Sequence, residues 1–171
     1  MRILGIDPGY AIMGYGLVDM NGSKYSLVGC GALTTEAGQA MPDRLKDIYG
    51  KLMEVIAEFE PDAAAVEELF FNTNAKTAIH VGEARGAAIL ACANSGLEVY
   101  EYTPLQIKQA LSGYGRADKN QIQQIVKSIL GLPEIPKPDD AADAVATAIC
   151  HGNSAAYLRR VGKASAGRGL K

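Results

Sequence analysis

The sequence predicts an α/β domain in which a three-stranded antiparallel meander joins parallel strands, with helices on both faces of the sheet. Three apolar, strand-like runs open the chain, and Asn21-Gly22 separates the second from the third, which is a strong hairpin signal. Helical and strand patterns then alternate along the chain, as they do where helices connect parallel strands. Together these observations predict one mixed sheet of five strands.

The five strands are expected where apolar runs are bounded by turn residues. They are predicted at residues 2–7, 11–19, 24–34, 63–67 and 97–102. A first helix is predicted over residues 42–59, because apolar side chains from Leu45 to Phe59 recur at the spacing of one helix face. Pro61-Asp62 marks its end.

Four further helices follow from the same reasoning. A long one is predicted from about Ala75 to Ala93. Thr103 is expected to cap a short helix, which has proline at its first position and ends in the glycine loop at residues 112–116. Asp118 is expected to cap the next helix, and the last runs from about Asp139 to Tyr157.

Composition excludes several classes of protein. The 171 residues include 48% apolar and 21% charged side chains, as in a typical globular domain. No apolar run approaches the roughly 20 residues of a membrane span, and the N-terminus lacks the layout of a signal peptide. Three cysteines without metal-ligand spacing suggest reduced thiols, so we expect a cytoplasmic protein with no membrane partner.

Basic residues are concentrated at the C-terminus. The formal net charge is only −2, but the tail after Tyr157 contains five basic and no acidic residues. We therefore predict a domain over residues 1–157 and a basic, flexible tail over residues 158–171. Such a tail either serves solubility alone or also touches phosphate.

Acidic side chains stand where a ligand site is expected. Asp7 ends the first strand and Glu67 ends the fourth, and ligands of open α/β sheets bind beyond the carboxyl ends of strands. Asp140 and Asp143 share one face of the last helix. Aspartates in a first turn also stabilise a helix through its dipole, so spacing alone leaves both interpretations open.

If these carboxylates converge, they would repel one another unless cations bind between them. An all-oxygen ligand set selects Mg²⁺ or Mn²⁺ rather than Zn²⁺. A pair of such metals, about 3.5–4 Å apart, activates water and stabilises the leaving oxygen in attack on a phosphodiester.

Motifs in a fixed order resemble one known family. IDPG at 6–9 with GYG at 14–16, VEELF at 66–70, GEARG at 82–86 and DAADA at 140–144 resemble the RuvC-type Holliday-junction resolvases, up to about residue 155. The resemblance implies an RNase H-like fold. It also implies four catalytic, metal-binding acids: Asp7, Glu67, Asp140 and Asp143.

The same resemblance implies an activity. Members of the family are homodimeric endonucleases that cut four-way DNA junctions at two symmetric positions in recombination and repair. They use Mg²⁺, with two ions expected per subunit during catalysis and Mn²⁺ as a substitute. They work with a branch-migration complex of RuvA and RuvB.

Two lysines and an aromatic residue match further positions of the family. Lys108 and Lys119 match positions implicated in DNA contact, and Lys119 also in catalysis. Lys119 opens a helix, where a cation is unfavourable, so it is either a phosphate contact or a solvated lysine. Phe70 matches the aromatic position; Phe70 and Phe71 either stack on junction bases or pack under their loop.

Small residues form a stripe on the long helix. Gly82 and Gly86, with Ala78 one turn earlier, either pack on the sheet or pair with a second helix across a two-fold axis. The resemblance favours the pairing, and a two-fold axis suits paired cuts. Lys76 and Arg85 could then reach DNA phosphates.

Three alternatives compete with this hypothesis. An actin-like or sugar-kinase-type ATPase also begins with this kind of strand, but it needs a second domain and a second phosphate loop. A resolvase-like nuclease that processes RNA shares the fold. A junction-binding protein without catalysis would have lost at least one of the four carboxylates, and all are present.

Overall fold

The computed structural model describes the backbone of residues 1–69 and 75–166, and the side chains of residues 1–69 and 77–155. The described strands are β1 (Arg2–Asp7), β2 (Ile12–Asn21), β3 (Lys24–Thr34), β4 (Ala63–Glu67) and β5 (Glu98–Tyr102). They form one sheet in the order β3-β2-β1-β4-β5. β1, β2 and β3 pair antiparallel, whereas β4 runs parallel to both β1 and β5. The predicted mixed sheet is confirmed.

The β2–β3 hairpin has a two-residue turn. Asn21 pairs with Lys24, so the turn is Gly22-Ser23, one residue later than the sequence signal indicated. Gly22 has a φ of 65°, which suits the first turn position of a type II′ hairpin and explains the need for glycine.

The described helices follow the predicted order. They are α1 (Met41–Phe59), α2 (Ala75–Asn94), α3 (Pro104–Ser112), α4 (Lys119–Leu130) and α5 (Asp139–Ala166). Thr103 caps α3 and Asp118 caps α4, each in a reciprocal capping box with a glutamine three residues later. Both predicted caps are confirmed. No described helix is long and apolar enough to cross a membrane.

The last helix is longer than predicted. It continues past Tyr157 to Ala166, so residues 158–166 are helical. The segment LRRVGKASA contains leucine, arginine, lysine and alanine, which are good helix formers even where no apolar stripe marks a buried face. The division into a domain and a basic tail remains a prediction, and residues 167–171 lie outside the described chain.

Successive side chains of a strand point to opposite faces of the sheet, and the apolar ones form a core on each face. On one face, Leu4 and Ile6 pack with residues of α1 and α2, among them Leu52 and Ala88. On the other face, Ile3 belongs to a second core with residues of α3, α4 and α5. The helices therefore cover both faces, as predicted.

Three glycines of β1 and β2 bring α5 unusually close to the sheet. A Cβ at Gly5 would lie 1.9 Å from the carbonyl oxygen of Ala144, and one at Gly14 would lie 2.0 Å from that of Asp140. A Cβ at Gly16 would lie 2.7 Å from the backbone nitrogen of Val145. Because Gly14 is the register partner of Asp7, this contact brings the first turn of α5 beside the end of β1.

Replacing Gly14 by alanine should destabilise the fold, by about 2–3 kcal/mol, because the added methyl group would overlap helix backbone that cannot rotate away. Gly50→Ala in α1 is the matched control. No described atom lies within 4 Å of a Cβ at Gly50, so this helix substitution should be neutral or stabilising by about 0.5–1 kcal/mol. Urea unfolding measures both; equal stability of the two variants would contradict the close packing of α5.

Candidate active site

The carboxyl ends of β1 and β4 bring two acidic side chains to one edge of the sheet. Ile6 pairs with Val66 in the parallel ladder, so Asp7 and Glu67 are the next residues on adjacent strands. The first turns of α5 reach the same edge. A cavity of about 240 Å³ opens there, lined by Asp7, Glu67, Pro104, Ile107, Lys108, Lys119, Ile122, Asp143 and Ala146.

The structure brings together the four carboxylates that the sequence predicted. Asp7, Glu67 and Asp143 line the cavity. Asp140 does not line it, but lies close enough for its charge to raise the pKa of both Asp7 and Asp143. Sequence spacing left this convergence open, and the contact of α5 with Gly14 produces it.

Burial and mutual repulsion make the ionised forms of these acids costly. Burial, then the charges of Asp143 and Asp140, raise the pKa of Asp7 from 3.8 to about 7. Burial, then Asp7 and Asp143, raise the pKa of Glu67 from 4.5 to about 8. Burial also raises the pKa of Asp143, although a hydrogen bond from Lys119 opposes the shift. In the metal-free fold Asp7 and Glu67 therefore hold their protons up to nearly neutral pH, because negative charge is costly in this site.

Lys119 partly balances that charge. Its Nζ lies 2.7 Å from Oδ2 of Asp143 and 3.8 Å from Oδ2 of Asp139. The hydrogen bond to Asp143 is the main cause of a raised lysine pKa. Lys119 is the first residue of α4 and lines the cavity together with Asp7, Glu67 and Asp143. Lys119 is therefore part of the acidic site rather than a lysine that contacts only solvent.

The donor set suits a hard divalent cation. Within the described ranges, no three acidic, histidine or cysteine side chains are already arranged to hold a metal ion. However, three carboxylates share one cavity, their ligand atoms are all oxygen, and burial, with the charge of neighbouring acids, raises their pKa values. Mg²⁺ and Mn²⁺ prefer such oxygens, so the chemistry of this donor set fits these ions.

A buried arginine supports the turn that follows Asp7. Arg44 of α1 is only 9% exposed, and it donates to the carbonyl of Gln39 at 3.1 Å and to the hydroxyl of Thr35. That hydroxyl donates in turn to the carbonyl of Tyr10 at 2.8 Å. Sequence analysis missed Arg44, because nothing in its local pattern indicates that a cation of α1 turns inward.

Not all of the residues predicted to contact DNA line the cavity. Lys108 lines the cavity with Lys119. Arg85 does not line it, since its guanidinium donates to the carbonyl of Glu67 and pairs with Glu101. Lys76 lies in α2, but its side chain is outside the described residues, as are Phe70 and Phe71. The proposed aromatic and Lys76 contacts therefore remain predictions.

The glycine stripe of α2 faces away from the sheet. A Cβ at Gly86 would meet no described atom within 4 Å, and one at Gly82 would meet only Leu69, at 4.0 Å. Two large apolar side chains of the same helix are also exposed, Ile79 by 62% and Leu90 by 54%. Packing on the sheet thus does not explain these glycines.

Comparisons with known proteins agree with this geometry. Residues 3–151 match the family described as crossover junction endodeoxyribonuclease RuvC. The protein of that name from Alkaliphilus oremlandii is 57% identical over 154 residues, which are 90% of this chain and 94% of its relative. The one from Desulfitobacterium hafniense is 58% identical over 164 residues, covering 96% and 99% of the two chains.

A solved structure extends the similarity to three dimensions. The structure of T. thermophilus RuvC in complex with Holliday junction substrate superposes with a TM-score of 0.83 at 37% identity. The match covers 91% of this chain and 95% of that one.

Proposed function

Because the chain belongs to the RuvC family of crossover junction endodeoxyribonucleases, we propose that its acidic cavity cuts four-way DNA junctions with Mg²⁺. The protein is a metal-dependent nuclease that hydrolyses DNA phosphodiester bonds, and its function is Holliday junction resolution in recombination and repair. The observation that supports this cavity as the catalytic site is the meeting of Asp7, Glu67 and Asp143 in it, with Asp140 beside them.

The four carboxylates would hold the metal. Bound Mg²⁺ supplies activation of water and stabilisation of the charge that develops on the scissile phosphate. We expect two ions per subunit during catalysis and substitution by Mn²⁺. The protein supplies fixed ligand positions, because Asp7 and Glu67 stand on adjacent strands and α5 is held against the sheet by glycine contacts.

Lys119 and Lys108 would act on the phosphate itself. Both lysines line the cavity, and the side chain of Lys119 is half exposed, so DNA can reach it. In this structure Lys119 pairs with Asp143. When the carboxylates bind metal, a phosphate oxygen of the DNA would offer Lys119 an alternative partner. Lys119 is thus proposed to neutralise charge at the scissile phosphate.

Lys119→Met is expected to slow cleavage about 10–100-fold in single-turnover assays while changing junction affinity by less than about threefold. The reason is that the proposed DNA contact of Lys119 is with one phosphate, whereas junction affinity depends on many phosphate contacts. Lys127→Met, in the last turn of the same helix, is the matched control and should cleave normally. An unchanged single-turnover rate for Lys119→Met would remove the lysine from the catalytic site.

A homodimer is proposed through the exposed face of α2. Open glycines flanked by Ile79 and Leu90 allow a second helix to approach closely, and a two-fold axis would give two equivalent sites for paired cuts.

Leu90→Glu should convert the dimer to monomer, because a charge would be buried at the helix pair. Leu105→Glu changes an equally exposed leucine on α3 and should leave the dimer intact. Sedimentation velocity distinguishes the two; a monomeric unsubstituted protein, or a dimer unaffected by Leu90→Glu, would contradict this interface.

Two further expectations concern the cell. The partner is proposed to be the RuvA and RuvB branch-migration complex, and the compartment the cytoplasm. The free thiols of Cys30, Cys92 and Cys150 support a reducing compartment. The relatives described above are named as endodeoxyribonucleases, so the alternative of an RNA-processing nuclease has no support.

Cleavage of synthetic substrates tests the proposal. A four-way DNA junction, the matching linear duplex and an RNA junction are incubated with protein and Mg²⁺, and cuts are mapped on every strand. Paired symmetric cuts in the DNA junction alone are expected. Equal cutting of the duplex, or cutting of RNA only, would overturn it.

A further inference from the structure

The end of β4 lacks one ladder partner. Continuing the β1–β4 register by one residue places Glu67 opposite Asp7. In a parallel ladder the carbonyl of Glu67 would then accept from the backbone N–H of the residue after Asp7. That residue is Pro8, which has no N–H.

Arg85 supplies a donor to this carbonyl. Its Nε donates to the oxygen of Glu67 at 3.2 Å, from α2 on the face of the sheet that α1 also covers. On the other side of the strand, the N–H of Glu68 donates to the carbonyl of Tyr102 at 2.8 Å. The peptide after Glu67 is therefore held from both sides.

Arg85 is itself held in place. Its terminal nitrogen pairs with the carboxylate of Glu101 on β5, and its side chain is only 18% exposed. A planar guanidinium fixed at two points by an oxygen acceptor on each side orients what it binds more firmly than a lysine can. It also has little surface left for a DNA phosphate.

We propose that Arg85 is a positioning residue for Glu67, held by Glu101, and not the DNA phosphate contact that its sequence suggested. The inference rests on the proposed role of Glu67 in the metal-binding site. Arg85 fixes the backbone from which the Glu67 carboxylate extends, in place of the donor that Pro8 lacks.

The two possible roles of Arg85, positioning Glu67 or contacting a DNA phosphate, predict different effects of substituting Glu101. If Arg85 positions Glu67, Arg85→Gln and Glu101→Gln should both slow single-turnover cleavage, about 10–100-fold and about 3–10-fold respectively. Junction affinity and its salt dependence should stay unchanged. If Arg85 contacts phosphate, Arg85→Gln should weaken binding and reduce the salt slope by about one, and Glu101→Gln should free the arginine and bind DNA no worse.

Two readouts do not depend on cleavage. Calorimetric titration with Mn²⁺ alone should show weaker binding to Arg85→Gln, and amide exchange in residues 63–69 should be faster. Glu98→Gln on the same exposed edge of β5 is the matched control and should change neither. Glu101 is exposed, so Glu101→Gln keeps the inference testable if Arg85→Gln fails to fold.

Glu67→Gln separates this inference from the proposed function. If Glu67→Gln is inactive but Arg85→Gln and Glu101→Gln cleave and bind Mn²⁺ like the unsubstituted protein, the positioning role is overturned alone. If Glu67→Gln itself cleaves normally, the proposed site is overturned as well.

Discussion

Replacing Asp7 by asparagine should abolish junction cleavage, by at least about 1000-fold, while junction binding persists. Asparagine preserves the shape of the side chain but removes the charge that a metal ion requires. The same result is expected for Glu67→Gln, Asp140→Asn and Asp143→Asn, because Glu67 and Asp143 line the same cavity and the charge of Asp140 acts on Asp7 and Asp143. Single-turnover cleavage and gel-shift titration with a four-way junction measure the two properties separately.

Asp139→Asn is the matched control for this series. Asp139 is the neighbour of Asp140, but it does not line the cavity, and its exposed carboxylate lies 3.8 Å from Nζ of Lys119. Its substitution should leave cleavage within a few-fold of normal. If Asp139→Asn were inactive and Asp140→Asn cut normally, the assignment of ligands on α5 would be wrong by one residue.

The second large effect concerns stability without metal. The pKa of Asp7 is raised from 3.8 to about 7, so the folded protein holds this proton more tightly than the unfolded chain does. Through Asp7, the stability of the metal-free protein should therefore fall as pH rises from about 4 to about 7, and Glu67, whose pKa is raised to about 8, should extend the fall to about pH 8. Because asparagine does not ionise, Asp7→Asn should remove the part of this loss of stability that Asp7 causes.

Asp7→Asn should consequently be more stable than the unsubstituted protein at pH ~8 without metal, by about 2 kcal/mol, or roughly 4–8 °C in Tm. The advantage should vanish near pH ~4, where Asp7 of the folded protein is protonated. Thermal melts in EDTA across this range provide the test. A stability advantage that is constant with pH would show that ionisation of Asp7 does not destabilise the fold.

Addition of Mg²⁺ should reverse the order of stability. A cation that binds only the folded state raises its Tm, so millimolar Mg²⁺ should stabilise the unsubstituted protein and have little effect on Asp7→Asn. Equal shifts in both would indicate that Mg²⁺ binds elsewhere.

Local patterns were sufficient to predict the sheet and most helix boundaries. The hairpin at Gly22, the cap at Asp118 and the run AAAVE depend on neighbouring residues, so they are visible in the sequence. The end of α5 was misplaced because residues 158–166 continue the helix, and in the sequence only their helix propensity indicates it.

Convergence of the acids depended on contacts that spacing does not encode. Gly14 and Asp140 are far apart in the chain, and only their packing shows that the glycine makes room for helix backbone. The partners of Arg85 were missed for the same reason. The carbonyl of Glu67 and the carboxylate of Glu101 become its neighbours only when β4 and β5 pair.

A crystal soaked with Mn²⁺ tests most directly whether these carboxylates form one metal site. Anomalous scattering should place Mn²⁺ in the cavity, within bonding distance of Asp7 and of at least one of Glu67, Asp140 and Asp143. Lys119 should have moved away from Asp143. An empty cavity in crystals of protein that cleaves junctions with Mn²⁺ would contradict the proposed site.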